Sequence, residues 1–492
     1  MKFKQNTTQI LTSAFLAITL QSSADELRLG IDSDPPLREG AHAGYAPIVE
    51  KVAPAVVSIA STQNVAVPKI ANRRFFDPFT GRLFQRRQML PGREIIPQPK
   101  GTGSGVILTK DGYVVTNHHV IREADDIKVA VGNDGDLYDA KIIGFDEATD
   151  LAVLKIDGTD FPTVRIGSTK NLKAGDFALA IGSPFNLSNT VTHGIISALG
   201  RTDLGITGEA GYEDFIQTDA SINPGNSGGA LVDNKGRMIG INTAIFSRSG
   251  GNLGIGFAIP SDLVVNITEQ IINYGEVRRG YLGVHLGDLT PDLAQALGVD
   301  EDGAVIHDVM PDSPAEKAGL QDGDVVTHLN DRPVDGAARL RLLVGTARPG
   351  TEALFKIIRE GKELEIKCQI GSQDRRISSR SGRPTQTTNG TLPGELVPGL
   401  QVADVTDEDR SRLALPEGTT GVIIESVAPD SPASRAKLSP GEMITGINRT
   451  PVTGVEDAFE VAENALGEKQ GKLLLLRIIG ENGSRYVAVK TS

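Results

Sequence analysis

The chain is poor in cysteine: its 492 residues include one, Cys368, so no disulfide can form within the chain. Hydrophobic cores rather than internal cross-links must therefore hold the fold together. Cys368 lies in the segment Leu364–Ile370, where every second residue is apolar, as in a strand with one buried face. The sequence thus predicts a buried packing role for this thiol rather than a reactive one.

Long apolar segments are also lacking. The run Ile10–Leu20 has about 11 residues, whereas roughly 20 are needed to cross a bilayer as a helix. It follows Lys2 and Lys4 and leads to small residues ending at Ala24, the pattern of a signal-peptidase site. We therefore expect residues 1–24 to be a cleaved secretory signal, with an uncleaved anchor as the alternative, and the mature chain to be exported and soluble.

Further absences limit the function. The formal net charge is −12 and no long basic block offsets it, so phosphate repulsion argues against nucleic acid as a partner. There is no Walker phosphate loop and no His-Glu-x-x-His helix, and beyond the adjacent His118 and His119 the seven histidines show no metal-ligand spacing. The glycine-rich stretch 101–105 runs into a strand-like segment rather than a helix, which argues against a dinucleotide site. We expect no cofactor and no metal.

What the chain does contain is a serine between glycines, in the run Gly225–Leu231. Glycine adopts backbone conformations that other residues avoid and lets a substrate approach closely, so such a turn can hold a nucleophile. A serine hydroxyl also needs an adjacent base, and that base needs an orienting carboxylate. His119 follows the strand-like Tyr113–Val115, and Asp150 opens another apolar run. The sequence therefore predicts a catalytic triad of His119, Asp150 and Ser227.

The order of these three residues is that of chymotrypsin. With the segments Thr116–Val120 and Gly225–Leu231, they resemble the Do-like (HtrA/DegP) serine endoproteases, and the resemblance runs from about Ile48 to the last residue. In that family the catalytic histidine directly precedes a valine, which selects His119 over His118. The resemblance implies a mainly β fold, a chymotrypsin-like double β-barrel followed by two PDZ domains, with the triad in the cleft between the barrels.

Short apolar strands separated by turn signals recur over residues 100–260, which also favours antiparallel barrels. We expect the protease domain to span 25–272 after a signal peptide at 1–24. Two PDZ domains are expected at 273–370 and 399–492, joined by a polar, flexible linker at 371–398.

An oxyanion hole and a specificity pocket complete the predicted site. The candidate oxyanion-hole residues, whose backbone amides would converge on the developing charge, are Gly225, Asn226 and Ser227. The resemblance implies a pocket whose base lies six residues before the nucleophile, so the candidate substrate-binding residues, two at this base and three along the wall, are Ser221, Ile222, Asn242, Thr243 and Ala244. The base carries no acidic residue that could pair with Lys or Arg, and an isoleucine would narrow the slot. We therefore expect cleavage after small aliphatic residues.

The C-terminal half contains a repeat: Val309–Ala315 recurs 118 residues later as Val427–Ala433. A gap-free alignment at this offset places Leu282 opposite Leu400, and Val284 opposite Val402. Two copies of about 100 residues indicate tandem domains rather than a solenoid.

Each copy resembles a PDZ domain, which binds an extended peptide as an added strand while loop amides hold the terminal carboxylate. In the first copy the candidate peptide-binding residues are Tyr281, Leu282, Gly283 and Val284; in the second they are Leu400 and Val402. The gap-free alignment puts Gln401 opposite Gly283, so whether the second copy binds peptides or serves assembly stays open.

Residues 62–100 have no strand or helix period but contain several phenylalanines, among them Phe75, Phe76, Phe79 and Phe84. Such a long segment is a functional or disordered loop. A solvated loop is one interpretation. The family resemblance instead implies a regulatory loop that joins subunits into a trimer or a multiple of trimers.

These features predict an ATP-independent periplasmic serine endoprotease that degrades unfolded or damaged exported proteins, with chaperone activity as an additional expectation. Its expected partners are misfolded proteins, peptides with free C-termini and further copies of the chain, with at most peripheral contact to membranes. The alternative is a non-catalytic PDZ scaffold or holdase that keeps the same fold.

Overall fold

The computed structural model describes most of the chain. The described ranges are 29–32, 44–76, 83–132, 136–184, 189–208, 211–223, 225–245, 252–300, 302–372, 395–416, 418–468, 473–481 and 483–490. The predicted signal at 1–24 and the phenylalanine Phe79 lie outside the described residues. Among the helices in these ranges, none has both the length and the apolar composition that crossing a membrane requires.

The described residues form the following helices and strands. The helices are α1 Ala46–Val52, α2 His118–Ile121, α3 Ser261–Tyr274, α4 Pro291–Leu297, α5 Pro314–Ala318, α6 Ala337–Thr346, α7 Asp407–Arg412, α8 Pro432–Arg435 and α9 Val455–Glu468. The strands of the N-terminal part are β1 Ile31–Asp32, β2 Val56–Phe76, β3 Leu83–Ile107, β4 Tyr113–Asn117, β5 Asp126–Val131, β6 Asp136–Asp146, β7 Leu151–Ile156, β8 Arg165–Gly167, β9 Phe177–Gly182, β10 Thr190–Arg201, β11 Phe215–Thr218, β12 Ala230–Val232, β13 Arg237–Ile245 and β14 Gly256–Pro260. Those of the C-terminal part are β15 Gly280–Tyr281, β16 Val284–Asp288, β17 Ala304–Val309, β18 Val325–Leu329, β19 Arg332–Pro333, β20 Glu352–Arg359, β21 Lys362–Gln369, β22 Gly371–Ser372, β23 Glu395–Val397, β24 Leu400–Asp404, β25 Val422–Val427, β26 Met443–Ile447, β27 Thr450–Pro451, β28 Leu473–Gly480 and β29 Gly483–Lys490.

A first barrel closes in the strand order β2-β3-β4-β7-β6-β5. Strand β7 is buried at all but one position, because its two faces meet different cores. Ala152 and Leu154 face the barrel interior, whereas Leu151 and Val153 belong to a larger cluster shared with the rest of the protease region. Packing on both faces fixes β7 and thereby fixes Asp150, which directly precedes it.

A second barrel closes in the order β13-β12-β9-β10-β11-β14, and the pairing of β13 with β14 completes the ring. The shared cluster joins both barrels to α3: Val115 comes from the first barrel, Ile181 and Ile241 from the second, and Val264 and Ile267 from α3. The predicted mainly β, double-barrel fold is confirmed. Because α2 belongs to the first barrel and the serine turn precedes β12 of the second, the predicted site lies where the barrels meet.

The prediction of an irregular loop at 62–100 is wrong for the described residues. Strands β2 and β3 continue through this segment as an antiparallel ribbon, which pairs Thr62 with Pro99. Ile95 and Ile96 are adjacent in β3 and exposed by 70% and 41%. Neighbouring strand residues point to opposite faces, so both faces are open here and no alternation of apolar residues marks the strand. At these two residues the ribbon is held by backbone pairing rather than by burial.

Two similar units follow the barrels. The first has the sheet β16-β17-β18-β20-β21 with α5 and α6, and the second has β23-β24-β25-β26-β28-β29 with α8 and α9. Cys368 lies in the core of the first unit and is 1% exposed, as predicted. Burial raises the pKa of this thiol to about 11, which keeps it protonated and unreactive at neutral pH. Leu364, on the same predicted face, is 40% exposed near the end of the hairpin.

The predicted linker at 371–398 is structured at both of its ends, which corrects the prediction there. Gly371–Ser372 forms β22 and pairs with β15, so the first unit extends into the expected linker. Glu395–Val397 forms β23 and pairs with β24 of the second unit. Two- and three-residue strands are too short to show a hydrophobic period. Residues 373–394 lie outside the described residues.

The gap-free alignment of the two units is also wrong in their first long strand. Val284 of β16 lies opposite Val309 of β17, whereas Leu400 of β24 lies opposite Val427 of β25. The sequence alignment also places Val427 opposite Val309. It places Val402 opposite Val284, however, and Leu400 lies two residues before Val402. The connection to the next strand, which contains α4 in one unit and α7 in the other, is longer by two residues in the second unit.

The structural counterpart of Gly283 is therefore Gly399 and not Gln401. Both glycines have a positive φ, +79° and +82°. A Cβ atom on Gly283 would collide with Ser313, and one on Gly399 would collide with the corresponding Ser431. Both loops thus keep the glycine that their conformation requires.

Candidate active site

Asp150 is held beside α2 by its own backbone. It follows a 3-10 turn, Glu147–Thr149, in the left-handed conformation with φ 56° and ψ 36°. Its carbonyl oxygen accepts hydrogen bonds from the His118 amide at 3.0 Å and from Nδ2 of Asn117 at 3.1 Å. The left-handed region is uncommon for residues other than glycine and costs free energy, so surrounding contacts must maintain it. Here they direct the carboxylate towards His119.

The Asp150 carboxylate accepts three hydrogen bonds. Its Oδ1 accepts from the His119 amide at 3.0 Å, and its Oδ2 contacts Nδ1 of His119 at 2.7 Å. The Thr243 hydroxyl donates to the same Oδ2 at 2.7 Å. An ionised carboxylate can only accept, so Nδ1 carries the hydrogen and Nε2 is left as the basic nitrogen. The side chain of Asp150 is 14% exposed and that of His119 is 47% exposed, so the base remains accessible.

His118 has different surroundings from its neighbour. Its ring stacks on Phe145, with centroids 4.5 Å apart and planes inclined by 14°. Burial lowers the pKa of His118, so the ring is neutral at physiological pH. These contacts make His118 a packing residue and leave His119 as the histidine whose ring contacts the Asp150 carboxylate.

The serine turn rests against β3 of the first barrel. Gly228 has φ +84°, and a Cβ atom there would collide with the carbonyl oxygen of Ser104, so the turn requires glycine. The Ser104 amide donates to the Ser227 carbonyl at 2.8 Å. The Ser227 hydroxyl donates to the carbonyl of Thr243 at 3.1 Å and not to His119. The structure thus joins Asp150 to both His119 and Thr243, whereas the Ser227 hydroxyl is engaged by the Thr243 carbonyl and makes no bond to His119.

One predicted oxyanion-hole residue is corrected. The Asn226 amide donates to the carbonyl of Asn223 at 3.0 Å within the turn, so it is not available to an oxyanion. The Gly225 carbonyl accepts from the Ser104 hydroxyl at 2.6 Å, which fixes the peptide plane that carries the Asn226 amide. The amides of Gly225 and Ser227 donate to no described residue. These two remain as the candidate donors.

At the predicted pocket base, Ile222 is 1% exposed and belongs to the second-barrel core. A Cβ atom on Gly256 of β14 would lie 2.9 Å from Cδ1 of Ile222, so the isoleucine fills the space beside that glycine. Its carbonyl accepts from Nδ2 of Asn252 at 3.1 Å, and the carbonyl of Ser221 accepts from the Thr192 hydroxyl at 2.8 Å. The backbone at the pocket base is therefore fixed by two neighbouring segments.

Two of the three predicted wall residues face inwards. Asn242 is fully buried and donates from Nδ2 to the Ala230 carbonyl at 3.2 Å, so a substrate does not reach its side chain. Thr243 is 3% exposed and its hydroxyl bonds Asp150, as described above. The side chain of Ala244 lies outside the described residues. The role of Thr243 was missed because threonine is common in strands and no sequence pattern sets this one apart.

Comparisons with known proteins agree with this geometry. A trypsin-like peptidase domain matches residues 103–241, and PDZ domains match 280–370 and 397–476. A probable periplasmic serine endoprotease, DegP-like, of Chlamydia trachomatis serovar D is 40% identical over 91% of this chain and 88% of its own length. The periplasmic pH-dependent serine endoprotease DegQ of Escherichia coli K12 is 36% identical over 98% of this chain and 99% of its own length. The chain belongs to the DegP-like family of periplasmic serine endoproteases.

Solved structures of HtrA-type proteases are similar to this DegP-like protein as well. The HtrA-type protease AlgW with a decapeptide is 43% identical and has a TM-score of 0.52, covering 68% of this chain and 99% of its own. The predicted family, the serine endopeptidase class and the periplasmic location are confirmed.

A loop of the DegP-like protease connects the Asp150 turn to the first PDZ domain. The Tyr212 amide donates to the carbonyl of Ala148, two residues before Asp150, at 2.8 Å. The Tyr212 ring lies under the guanidinium of Arg279, which is 4.2 Å from the ring centroid, and against Gly345 of α6. Movement of α6 would therefore act on the backbone that positions Asp150.

The predicted peptide-binding loop of the first PDZ domain lies at the start of β16. The carbonyls of Leu282 and Gly283 accept from the amides of Ala315 and Met310, which fixes the loop. In the described part of the chain, the outer edge of β16 has no paired strand. Val284 begins that edge, and Tyr281 lies in β15 with its hydroxyl 3.1 Å from Sδ of Met310.

In the second domain the predicted positions shift. Leu400 and Val402 are buried core residues on β24, and both lie beyond the loop. The loop itself is Val397–Gly399, as the two-residue shift requires.

Proposed function

We propose that His119, Asp150 and Ser227 form the catalytic triad of an ATP-independent endoprotease for unfolded exported proteins. The observation that carries this proposal is the Asp150 carboxylate, which engages both the amide and Nδ1 of His119. That arrangement fixes the ring and leaves Nε2 facing away from the carboxylate, as a general base requires.

In the first half of the reaction, the Ser227 Oγ attacks the scissile carbonyl carbon while Nε2 of His119 takes the hydroxyl proton. The carbonyl oxygen becomes an oxyanion, which the amides of Gly225 and Ser227 stabilise. When the C–N bond breaks, His119 returns the proton to the leaving amine and an acyl-enzyme remains. Water then attacks the ester with the same base, which releases the acid and restores Ser227. Asp150 stabilises the imidazolium in both halves.

Substrate choice follows from two sites. Ile222, which fills the space beside Gly256, would narrow the slot so that only a small aliphatic side chain fits, and Ser221 provides no charge to pair with a basic one. The open edge of β16 accepts an extended chain with a free C-terminus. Extended chains with exposed termini are features of unfolded proteins, which supports a role in protein quality control.

A fluorophosphonate probe tests the proposal directly, because it reacts with an activated serine. We expect peptide mapping to locate the label on Ser227, and we expect unfolded casein to be cleaved without added nucleotide. Mass spectrometry should place most cuts after Val, Ala or Ile. If Ser227 is not labelled and casein is not cleaved, the holdase or scaffold alternative is favoured. A majority of cuts after Lys, Arg, Phe or Tyr would contradict the pocket assignment.

We also propose that the enzyme works as a trimer or a multiple of trimers, joined through the β2–β3 ribbon. Its support is the ribbon's exposed Ile95 and Ile96, together with the phenylalanines in its sequence. Burying one Phe between subunits contributes about 1.5–3 kcal/mol before ordering costs.

Light scattering should therefore show a trimer or larger species for the wild type, and a smaller one for the triple variant Phe75/Phe76/Phe79→Ser. A monomeric wild type at micromolar concentration would remove the proposal. An unchanged triple variant would remove the part assigned to the ribbon.

A further inference from the structure

The two PDZ domains differ at the strand edge where a peptide would bind. Strand β24 pairs with β25 on one side and with β23 on the other, so that Val397 lies opposite Leu400 and Glu395 opposite Gln401. Strand β16 of the first domain pairs with β17 alone among the described residues. A PDZ ligand binds as an added strand on this outer edge. In the second domain, the part of the edge next to the loop is therefore already occupied.

The loop amide of the second domain is also occupied. The Gly399 amide donates to Oε2 of Glu395 at 2.9 Å. Gly283, its counterpart in the first domain, donates to no described residue. A carboxylate on this loop is the group that the C-terminus of a bound peptide would present. Glu395 supplies the same group from within the chain.

An apolar side chain accompanies that carboxylate. Leu396 is 4% exposed and shares a core cluster with Ala458 and Ala462 of α9, the helix that packs against both β23 and β24. The residue at the corresponding place in the first domain is Gly280, where a Cβ atom would collide with the Val344 carbonyl of α6. The second domain thus places a side chain between helix and strand where the first has none.

The geometry points to an internal ligand: we propose that Glu395–Val397 occupies the peptide site of the second PDZ domain in place of a C-terminal peptide. The first domain then offers the open groove, and the second binds a peptide only after β23 is displaced. This inference does not depend on the catalytic triad.

Full-length protein carrying Ser227→Ala, which leaves the probe uncut, is the material for the test. The probe is a fluorescent hexapeptide with a C-terminal valine, a free carboxylate and a benzophenone group, and the same peptide with an amidated C-terminus is its control. After illumination, mass spectrometry distinguishes adducts on α6 and β16 from adducts on α9 and β24. We expect the acid form to label the first domain at least tenfold more than the second.

Glu395→Arg should open the second site, since it removes the carboxylate. It also introduces arginine, which is the residue that the first domain has at the corresponding position, Arg279. Glu395 is exposed, so the fold should persist. We expect labelling of α9 to rise at least fivefold. The exposed Asp407→Arg on α7 makes the same charge change away from the loop and should leave labelling unchanged.

Leu396→Gly, which copies Gly280, is a second opening variant, and amide hydrogen exchange at β23 reports whether the strand has been released in each case. Equal labelling of both domains in the parent protein would overturn the proposal. So would a variant in which β23 exchanges freely while α9 stays unlabelled. If neither variant raises both the exchange at β23 and the labelling of α9, the segment is an ordinary strand of the domain and not a ligand.

Discussion

Replacing Asp150 with asparagine is expected to lower kcat/KM for casein by about 10⁴-fold while the fold stays intact. Asparagine has nearly the same shape but only one acceptor oxygen, so the bond from the His119 amide can persist while the NH2 group takes the place of the oxygen that faces Nδ1 of His119 and the Thr243 hydroxyl. Its amide, however, cannot favour a hydrogen on Nδ1 of His119 as a carboxylate does, and it cannot stabilise the imidazolium. The wrong tautomer then places the hydrogen on Nε2, where the base must be free.

Initial rates on casein, with circular dichroism to verify folding, measure this effect. His118→Ala is the matched control, because His118 stacks on Phe145 and does not contact the carboxylate; it should keep most of the activity. Thr243→Val removes one of the three hydrogen bonds to Asp150 and should have an intermediate effect. An Asp150→Asn enzyme within tenfold of the wild type would show that the carboxylate is not the orienting group.

The parts of this site that could be predicted from the sequence are those that a short motif encodes. The glycines around Ser227 and the strand before His119 are local patterns that can be read from the sequence. The double-barrel fold then brings these two segments together at the cleft between the barrels. Whether the Asn226 amide is free to donate to an oxyanion could not be predicted in this way. It depends on a turn closed by Asn223 and on a peptide plane held by Ser104, which comes from the other barrel.

The errors in the fold have a common physical origin, since they concern backbone pairing that no buried face records. Ile95 and Ile96 are both exposed, so the ribbon leaves no alternation in the sequence. The register shift between the PDZ domains arises in a connection of different length, while the repeated Val309–Ala315 motif lies after that connection. An alignment anchored on this motif and extended without a gap towards the N-terminus therefore could not reveal that Gly399, and not Gln401, corresponds to Gly283.

The two PDZ domains contact one another through the outer face of the first domain's sheet. Along β17, Ala304 and Ile306 face the domain core, whereas Val305 and His307 face the second domain. The amide of Tyr486 on β29 donates to Nδ1 of His307 at 3.0 Å. Because Nδ1 must accept this bond, the docked arrangement requires it to carry no hydrogen.

The charges around His307 reinforce that requirement. Burial, followed by the positive charges of Arg485 and His285, lowers the pKa of His307 to about 4, and Asp288 opposes the shift. Nearby, Arg477 pairs with Asp308 at 3.4 Å and also with Asp322. Burial raises the pKa of Asp322. Protonation of Asp322 therefore favours the docked arrangement, in which it is buried, as the pH falls, and it cannot account for release in acid.

Acid is therefore expected to separate the two PDZ domains through His307. An unperturbed histidine titrates near 6.5 and docked His307 near 4, so docking weakens as the pH falls through this range towards 4. The loss is at most about 3 kcal/mol, because His285 of the same domain contributes to the shift whether or not the domains are docked. Energy transfer between dyes on the two domains, measured from pH 7.5 to pH 4, should fall over this window.

His307→Gln separates this cause from general acid unfolding, because a glutamine oxygen can accept from the Tyr486 amide but does not titrate. The variant should stay docked to lower pH. His328→Gln is the control: His328 lies in the same domain and contacts Thr327 rather than the second domain, so its profile should match the wild type. Identical acid profiles for the wild type and His307→Gln would show that another group releases the domains. If the predicted release occurs, acidification frees the second PDZ domain from the first through the bond between Tyr486 and His307.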